Sequence, residues 1–293
     1  YAVVKVFDQL NDGMNRSKAI IEQAGELRNV SHRLRQDLDG LTASTQPWTP
    51  VDAGDGHLEI IEGPQRDLDT DGDGNPDLVD LNGDGNNELA MWGDRDDVLM
   101  FTSRSKGRPF IGRFNGGLIE SELAEIIYWT QNLGDFNSNM IVDPDEMALM
   151  RRVLLIRPDL TPAGANVATF LQSKDVSVRL EGGTLVTNSL ADLTLRENRT
   201  HHGAGFPHVM NTAALTPIPS SSVGFGTDIV LTKVVAFDVR VYDPVAPVRQ
   251  GSQSALTPGD PGWATSGTTL GRGAYVDLNY AGNNTVSFYS GPP

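Results

Sequence analysis

Residues 20–41 read Ile-Ile-Glu-Gln-Ala-Gly-Glu-Leu-Arg-Asn-Val-Ser-His-Arg-Leu-Arg-Gln-Asp-Leu-Asp-Gly-Leu. Apolar side chains recur here in alternating steps of four and three, with polar Ser31 filling one position of the series, which places them along one side of an α-helix. Charged residues occupy the other side, and Gly40 is a typical helix stop. No proline precedes this point, so residues 1 to about 40 are predicted to form one long helix. Its apolar stripe consists of Ile20, Ala24, Leu27, Leu34, Leu38 and Leu41.

From about residue 57 the pattern changes to short segments rich in Val, Ile, Tyr and Phe, bounded by Gly, Asn, Asp and Pro. Such segments predict β-strands. In the last of them Val235, Phe237, Val239 and Val241 alternate, which predicts one apolar face. Residues 200–226 and 243–273 are predicted to be long loops. The expected strands are residues 57–61, 97–103, 124–129, 149–156, 176–180, 229–231 and 234–242.

A helix followed by antiparallel strands predicts an α+β fold, with the long N-terminal helix packed on antiparallel β-sheets. We divide the chain into residues 1–42, the helix, and residues 43–293, a β-rich globular domain. An acidic segment at residues 67–91 is expected to be a calcium-binding loop inserted into that domain.

The insert places carboxylates on alternate residues between glycines, and such charges repel one another unless a cation binds. Ca²⁺ prefers a flexible cage of oxygen ligands. Counted from Asp69, the spacing matches an EF-hand loop, with Gly74 at the sharp turn and Asp80 in place of the terminal Glu. The ligands expected at this first site are Asp69, Asp71, Asp73, Asn75, Asp77 and Asp80.

A second loop starts at Asp80, which would then bridge two ions. Its last ligand position is Met91, which does not bind calcium, so Asp94, Asp96 or another segment would have to complete it. The other ligands expected there are Asn82, Asp84, Asn86 and Glu88. The cofactor prediction for residues 69–88 is therefore one or two Ca²⁺ ions.

Residues 135–146 follow the same spacing less closely, because Met140 stands where the loop calls for Gly. Two interpretations stay open: a further calcium site or a plain polar connection between strands. The ligands in the first case are Asp135, Asn137, Asn139, Ile141, Asp143 and Glu146.

Bulk properties exclude several classes of function. The net charge of −15 argues against nucleic acid as a partner, because binding phosphates needs clustered Lys and Arg. Cysteine is absent, which removes disulfides and thiolate sites. Neither a nucleophile elbow nor a phosphate-binding loop occurs, and His201, His202 and His208 are expected to be surface residues of a loop. We expect no enzyme, and the calcium loops favour a location outside the cytoplasm.

Several short segments resemble type IV pilin-like proteins, and are most similar to the J-class minor pseudopilins of type II secretion and related minor pilins. One is the helix tract from Ala24 to Leu38. The others follow in the same order as in the family: Asp97-Val-Leu-Met-Phe-Thr-Ser-Arg, Leu123-Ala-Glu-Ile-Ile-Tyr-Trp, Leu149-Met-Arg-Arg-Val and Val234-Val-Ala-Phe-Asp-Val-Arg-Val-Tyr-Asp. Together they cover roughly residues 15–160 and 228–243.

The resemblance implies a structural subunit of a type II secretion or type IV pilus-like filament. Its partners would be other pilin or pseudopilin subunits, bound through the N-terminal helix. A hydrophobic segment upstream of residue 1 would anchor it in the inner membrane before assembly, so the expected location is periplasmic or at the cell surface. The insert and the portion after about residue 243 exceed the family core. The alternative function is a calcium-dependent extracellular adhesin or carbohydrate-binding module, with Trp92, Tyr128 and Trp129 lining an aromatic face.

Overall fold

The computed structural model describes residues 2–44, 53–62, 78–79, 88–89, 94–134, 146–200, 202, 227–251, 254–258, 260, 263, 266–278 and 286–289. It is mostly β-sheet, with 44% of the residues in strands and 18% in helices. Among the described residues a single helix has seven or more residues. The predicted α+β class, with a long helix packed on sheets, is therefore wrong.

The elements follow one another in this order. The helices are α1 (Ala2–Asp39) and α2 (Val167–Leu171), with 3-10 turns at Asp192–Thr194 and Arg196–Asn198. The strands are β1 (Leu58–Glu62), β2 (Leu78–Val79), β3 (Glu88–Leu89), β4 (Val98–Arg104), β5 (Phe110–Phe114), β6 (Gly117–Ser121), β7 (Leu123–Asn132), β8 (Met147–Leu155), β9 (Val178–Glu181), β10 (Thr184–Thr187), β11 (Thr227–Thr232), β12 (Val241–Gln250), β13 (Ala255–Leu256), β14 (Thr269–Val276) and β15 (Val286–Tyr289).

A six-stranded antiparallel sheet forms the centre, in the order β11-β8-β7-β4-β1-β15. Its inner strands β4, β7 and β8 are buried along nearly their whole length. Both faces therefore carry apolar side chains: Phe101, Ile126 and Tyr128 belong to one cluster, and Met100 and Ile127 to another. The strongest strand signals of the sequence correspond to these inner strands. A separate three-stranded sheet has the order β13-β12-β14.

Among residues 21–39, the part of helix α1 whose side chains the structure describes, the contacts with the core lie towards the C-terminal end. Val30, Leu34 and Leu38 pack against the central core, whereas Ile21 and Leu27 are 71% and 54% exposed. The helix extends over nearly the predicted residues, but the sheet leaves Ile21 and Leu27 uncovered. The apolar stripe of the helix therefore did not reveal how much of the helix packs on the sheet. None of the described helices combines the length and apolarity that crossing a membrane requires.

The C-terminal part corrects two further predictions. Residues 233–240 form no strand: the amides of Phe237 and Val239 bond to the 94–97 segment instead of a neighbouring strand. The predicted loop at residues 243–273 contains β12, β13 and the start of β14. Prolines favoured a loop there, but the pairing of β12 with β14 shifts register between Asp243 and Pro247, which accommodates them. Of the predicted loop at residues 200–226, only Thr200 and His202 are described. The division into residues 1–42 and 43–293 stays a prediction.

Candidate functional site

Most of the predicted calcium ligands lie outside the described residues. The backbone of Glu88 belongs to β3 and pairs with Val79 of β2. Glu146 precedes β8, is buried, and its carbonyl accepts a hydrogen bond from the amide of Leu133 at 2.7 Å. The calcium loops therefore stay predictions. The ligands outside the described residues are Asp69, Asp71, Asp73, Asn75, Asp77, Asp80, Asn82, Asp84, Asn86, Asp135, Asn137, Asn139, Ile141 and Asp143.

Three buried carboxylates meet next to the insert, and we call Glu62, Asp94 and Asp97 the acidic trio. One oxygen of each lies within 4.8 Å of the others. Glu62 ends β1 and Asp97 precedes β4, and the pairing of Ile61 with Val98 brings these two strand ends together. Sequence reasoning named Asp94 only as a substitute ligand and missed Glu62 and Asp97. The missing information was the pairing of β1 with β4, two strands that end and begin in acidic residues.

Backbone amides hold the trio in place. The Val239 amide donates to Asp97 Oδ2 at 2.6 Å, and the Leu278 amide donates to Glu62 Oε2 at 3.3 Å. Asp97 as a whole is 1% exposed, and its Oδ1 accepts no hydrogen bond from any described residue. One buried carboxylate oxygen thus has capacity for a further ligand.

The electrostatics of the trio disfavour three negative charges. Burial, and then the charge of Asp277, raises the pKa of Glu62 to about 7. Burial and the neighbouring Asp97 raise the pKa of Asp94 to about 10, and burial and Glu62 raise that of Asp97 to about 8. At neutral pH the trio is therefore suited to hold either protons or a cation. Its donors are all oxygens, which hard divalent cations prefer.

A second buried network surrounds Glu59 of β1. The Glu59 carboxylate bonds to Arg196 at 2.7 Å, to Arg199 at 3.0 Å and to Nε2 of His202 at 2.9 Å. Burial alone would raise the pKa of Glu59, but the hydrogen bond from His202 and the charges of Arg199 and Arg196 outweigh it and lower that pKa. The His202 side chain is fully buried, so its prediction as a surface histidine is wrong. His201 and His208 lie outside the described residues.

The end of α1 is tied to the sheet by a third network, which we call the helix foot: Asp37, Tyr128 and Arg151. The Tyr128 hydroxyl and Arg151 Nε both donate to Asp37 Oδ2 at 2.6 Å, and Arg151 Nη2 donates to Asp37 Oδ1 at 2.9 Å. All three residues are buried. The helix is thus fixed at its last turns by a bidentate ion pair.

The aromatic face expected for a carbohydrate-binding module is absent at two of its three residues. Tyr128 and Trp129 are buried because they lie on β7, between β4 and β8 in the interior of the sheet. Trp92 lies outside the described residues.

No family model, curated protein or solved structure significantly matches the chain. The resemblance to pilin-like proteins therefore stays a prediction carried by the quoted segments alone. A functional proposal for this chain therefore depends on the arrangement of its described side chains. It comprises a group of three buried carboxylates, two buried ion-pair networks, and exposed apolar side chains at Ile21 and Leu27 of α1.

His57 gives a pH-dependence prediction. Burial, and then the charge of Arg199, lowers the pKa of His57 well below its usual value of 6.5; Glu59 opposes this shift, and His202 adds to it. Glu125 also faces it, with an oxygen 4.0 Å from its Nε2. Below about pH 6.5 the unfolded chain takes up a proton at His57 and the folded chain does not. The stability from His57 is therefore present above that pH and lost as the pH falls.

Long-range ¹H–¹⁵N NMR should show a neutral His57 ring in the folded protein at pH 5.5 and a charged one in urea at the same pH. The free energy of unfolding lost in the His57→Asn variant should shrink between pH 8 and 5.5. In the control His32→Gln, on the exposed side of α1, the His57 ring of the folded protein should stay neutral at pH 5.5 as in the parent. A charged His57 ring in the folded state at pH 5.5 would contradict the prediction.

Proposed function

We propose that the chain is a calcium-stabilised structural subunit, a minor pilin or pseudopilin, of a type II secretion or type IV pilus-like filament outside the cytoplasm. It is proposed to act by assembly and not by catalysis. The observation that supports this best is the helix α1, which is fixed to the sheet at one end and exposes apolar side chains before that end. Ca²⁺ in the acidic loops would neutralise charges that otherwise repel one another.

The helix offers a surface that suits another subunit. At 1.5 Å per residue its 38 residues extend about 57 Å, and the helix foot fixes only the last turns. Ile21 and Leu27 are exposed ahead of that foot. Burying such side chains against a neighbouring helix contributes about 1.5–3 kcal/mol for each one that becomes fully covered. This stabilisation would favour bundling of subunits through α1.

The absence of cysteine makes the proposal testable by crosslinking. We expect the single-cysteine variant Leu27→Cys, expressed in its own cells, to form a disulfide with a second cysteine placed on the helix of a candidate neighbouring subunit. The matched control is Leu180→Cys, which is similarly exposed but lies on β9. Crosslinking in the filament fraction from position 27 and not from position 180 would support assembly through the helix. Equal crosslinking, or none at Leu27→Cys and Ile21→Cys, would contradict it.

A second candidate function, a calcium-dependent carbohydrate-binding module, is favoured by a different pair of aromatic residues. Tyr242 and Tyr275 face each other across β12 and β14 with ring centroids 5.5 Å apart, and both are well exposed. Exposed tyrosine rings suit stacking on a sugar ring. The two functions differ in one observable: the module requires Ca²⁺ for ligand binding as well as for stability.

A further inference from the structure

Four chain segments converge on the acidic trio. Glu62 is the last residue of β1, and Asp94 and Asp97 precede β4. The trio therefore lies at the end of the six-stranded sheet where β1 ends and β4 begins. Asp97 is bonded to the Val239 amide and the carbonyl of Asp94 to the Phe237 amide, at 2.6 Å and 2.8 Å. Residues 237–239 lead into β12. Glu62 is bonded to the amide of Leu278, which follows β14. The trio therefore lies where the six-stranded sheet meets both connections to the three-stranded sheet.

The two carboxylate oxygens of Asp97 differ in their hydrogen bonding, and this difference indicates a ligand. Its Oδ2 is fixed by the Val239 amide, which sets the orientation of the carboxylate. Its Oδ1 is buried and accepts no hydrogen bond from the described residues. A buried acceptor left without a ligand is destabilising, and more so when it is charged. A bound cation removes that cost.

The charged residues around the trio, Asp238, Asp277 and Arg240, do not replace such a cation. Asp238 and Asp277 lie near Glu62, and each forms an ion pair with Arg240, with N–O distances of 2.7 Å and 3.0 Å. Arg240 is thus already paired with two carboxylates outside the trio.

The spacing indicates which ion. Calcium binds oxygens at about 2.3–2.6 Å, so two ligands on opposite sides of one ion lie up to about 5 Å apart. The trio oxygens lie within 4.8 Å of one another, which is within the reach of a single Ca²⁺. Mg²⁺ demands a tighter, near-ideal octahedron and is usually bound through one or two carboxylates. Three carboxylates at an irregular junction favour Ca²⁺, with water completing its 6–8 ligands.

We propose that Glu62, Asp94 and Asp97 form a Ca²⁺ site, separate from the predicted loop sites, that clamps the three-stranded sheet to the six-stranded sheet. The ion joins β1 and β4 directly. It acts on β12 and β14 through the amides of Val239 and Leu278, which hold two of its ligands. The site does not depend on filament assembly.

The decisive variant is Asp97→Asn, which keeps an oxygen for the Val239 amide and removes the charge. By calorimetric titration with CaCl₂, it should bind one equivalent fewer than the parent, or bind at that site more than tenfold more weakly. With EDTA it should melt at a higher temperature than the parent, because a buried amide needs neither a counter-charge nor a bound proton to be neutral. With excess Ca²⁺ that order should reverse.

The matched control is Glu122→Gln. Glu122 directly precedes β7, beside the end of β4 that is farther from the trio. It should retain both the stoichiometry and the Ca²⁺ dependence of the parent. Asp73→Asn tests the first predicted loop and should leave the trio equivalent intact, so failure of the loop sites and failure of the trio give different results. Glu62→Gln takes the place of Asp97→Asn if that variant does not fold.

Hydrogen exchange tests the clamp itself. Adding Ca²⁺ to the chelated parent should slow amide exchange in β12 and β14, and this gain should be lost in Asp97→Asn. If Asp97→Asn keeps the parent's stoichiometry, or melts above the parent in both EDTA and Ca²⁺, the trio holds protons and the proposal is wrong. Crosslinking from helix α1 is unaffected by either outcome, so the assembly proposal stands or falls separately.

Discussion

The Asp37→Ala variant should lose about 3–5 kcal/mol of unfolding free energy, because removing one partner leaves the other charge of a buried pair uncompensated. Asp37 accepts two hydrogen bonds from Arg151 and one from the Tyr128 hydroxyl. Without it, Arg151 retains its ion pair with the partly exposed Asp228 at 3.3 Å. Urea unfolding at neutral pH measures the loss. Hydrogen exchange should also show faster opening over residues 30–39, since the helix foot no longer fixes them.

Asp39, two residues further on, provides the matched control. It pairs with Lys106 at 2.9 Å, a distance similar to those in the helix foot, but both of these side chains are more than 60% exposed. Exposed pairs contribute about 0–1 kcal/mol, so Asp39→Ala should change stability by no more than that. Equal losses in the two variants would mean that the helix foot contributes no more to stability than a surface ion pair.

Glu59→Ala should be as damaging, with an expected loss of about 3–5 kcal/mol or more. Its carboxylate is fully buried and forms ion pairs with the buried guanidinium groups of Arg196 and Arg199. It also contacts His202. The variant leaves two like charges close together in the interior. Glu59→Gln, which keeps the shape but not the charge, should recover only part of the loss.

The comparison for Glu59 is Glu181→Ala. Glu181 bonds to Arg179 at 2.8 Å, almost the distance between Glu59 and Arg196, but its side chain is 63% exposed. We expect Glu181→Ala to cost less than about 1 kcal/mol. A Glu59→Ala protein with the parent's urea midpoint would show that the arginines reach solvent or other partners at little cost.

The sequence predicted elements better than it predicted how they pack. Continuous apolar runs located β4, β7 and β8 to within a few residues, because strands buried on both faces leave that pattern. The lack of proline and the periodicity of residues 20–41 gave the extent of α1. They did not reveal that Ile21 and Leu27 are left exposed, since a stripe of apolar residues is the same whether the protein itself or a partner covers it. That ambiguity produced the wrong fold class.

The candidate site shows the same limit. The acidic insert was visible from residue spacing alone, but Glu62 and Asp97 lie 35 positions apart and meet only because β1 and β4 pair. Residues 234–242 alternate like a strand, yet the amides of Phe237 and Val239 bond to Asp94 and Asp97. Burial of Tyr128 and Trp129 likewise follows from the place of β7 within the sheet. Each of these facts depends on long-range pairing, which local patterns do not encode.

The position of β15 affects how the chain is made. Glu59 of β1 pairs with Tyr289 of β15, a separation of 230 residues. At about 5–20 residues per second, a ribosome reaches β15 about 10–50 s after β1 has been synthesised. During that interval β1 has an open edge, and open edges promote pairing with other chains. Translation speed and chaperone binding to the nascent chain should therefore influence the yield of this protein.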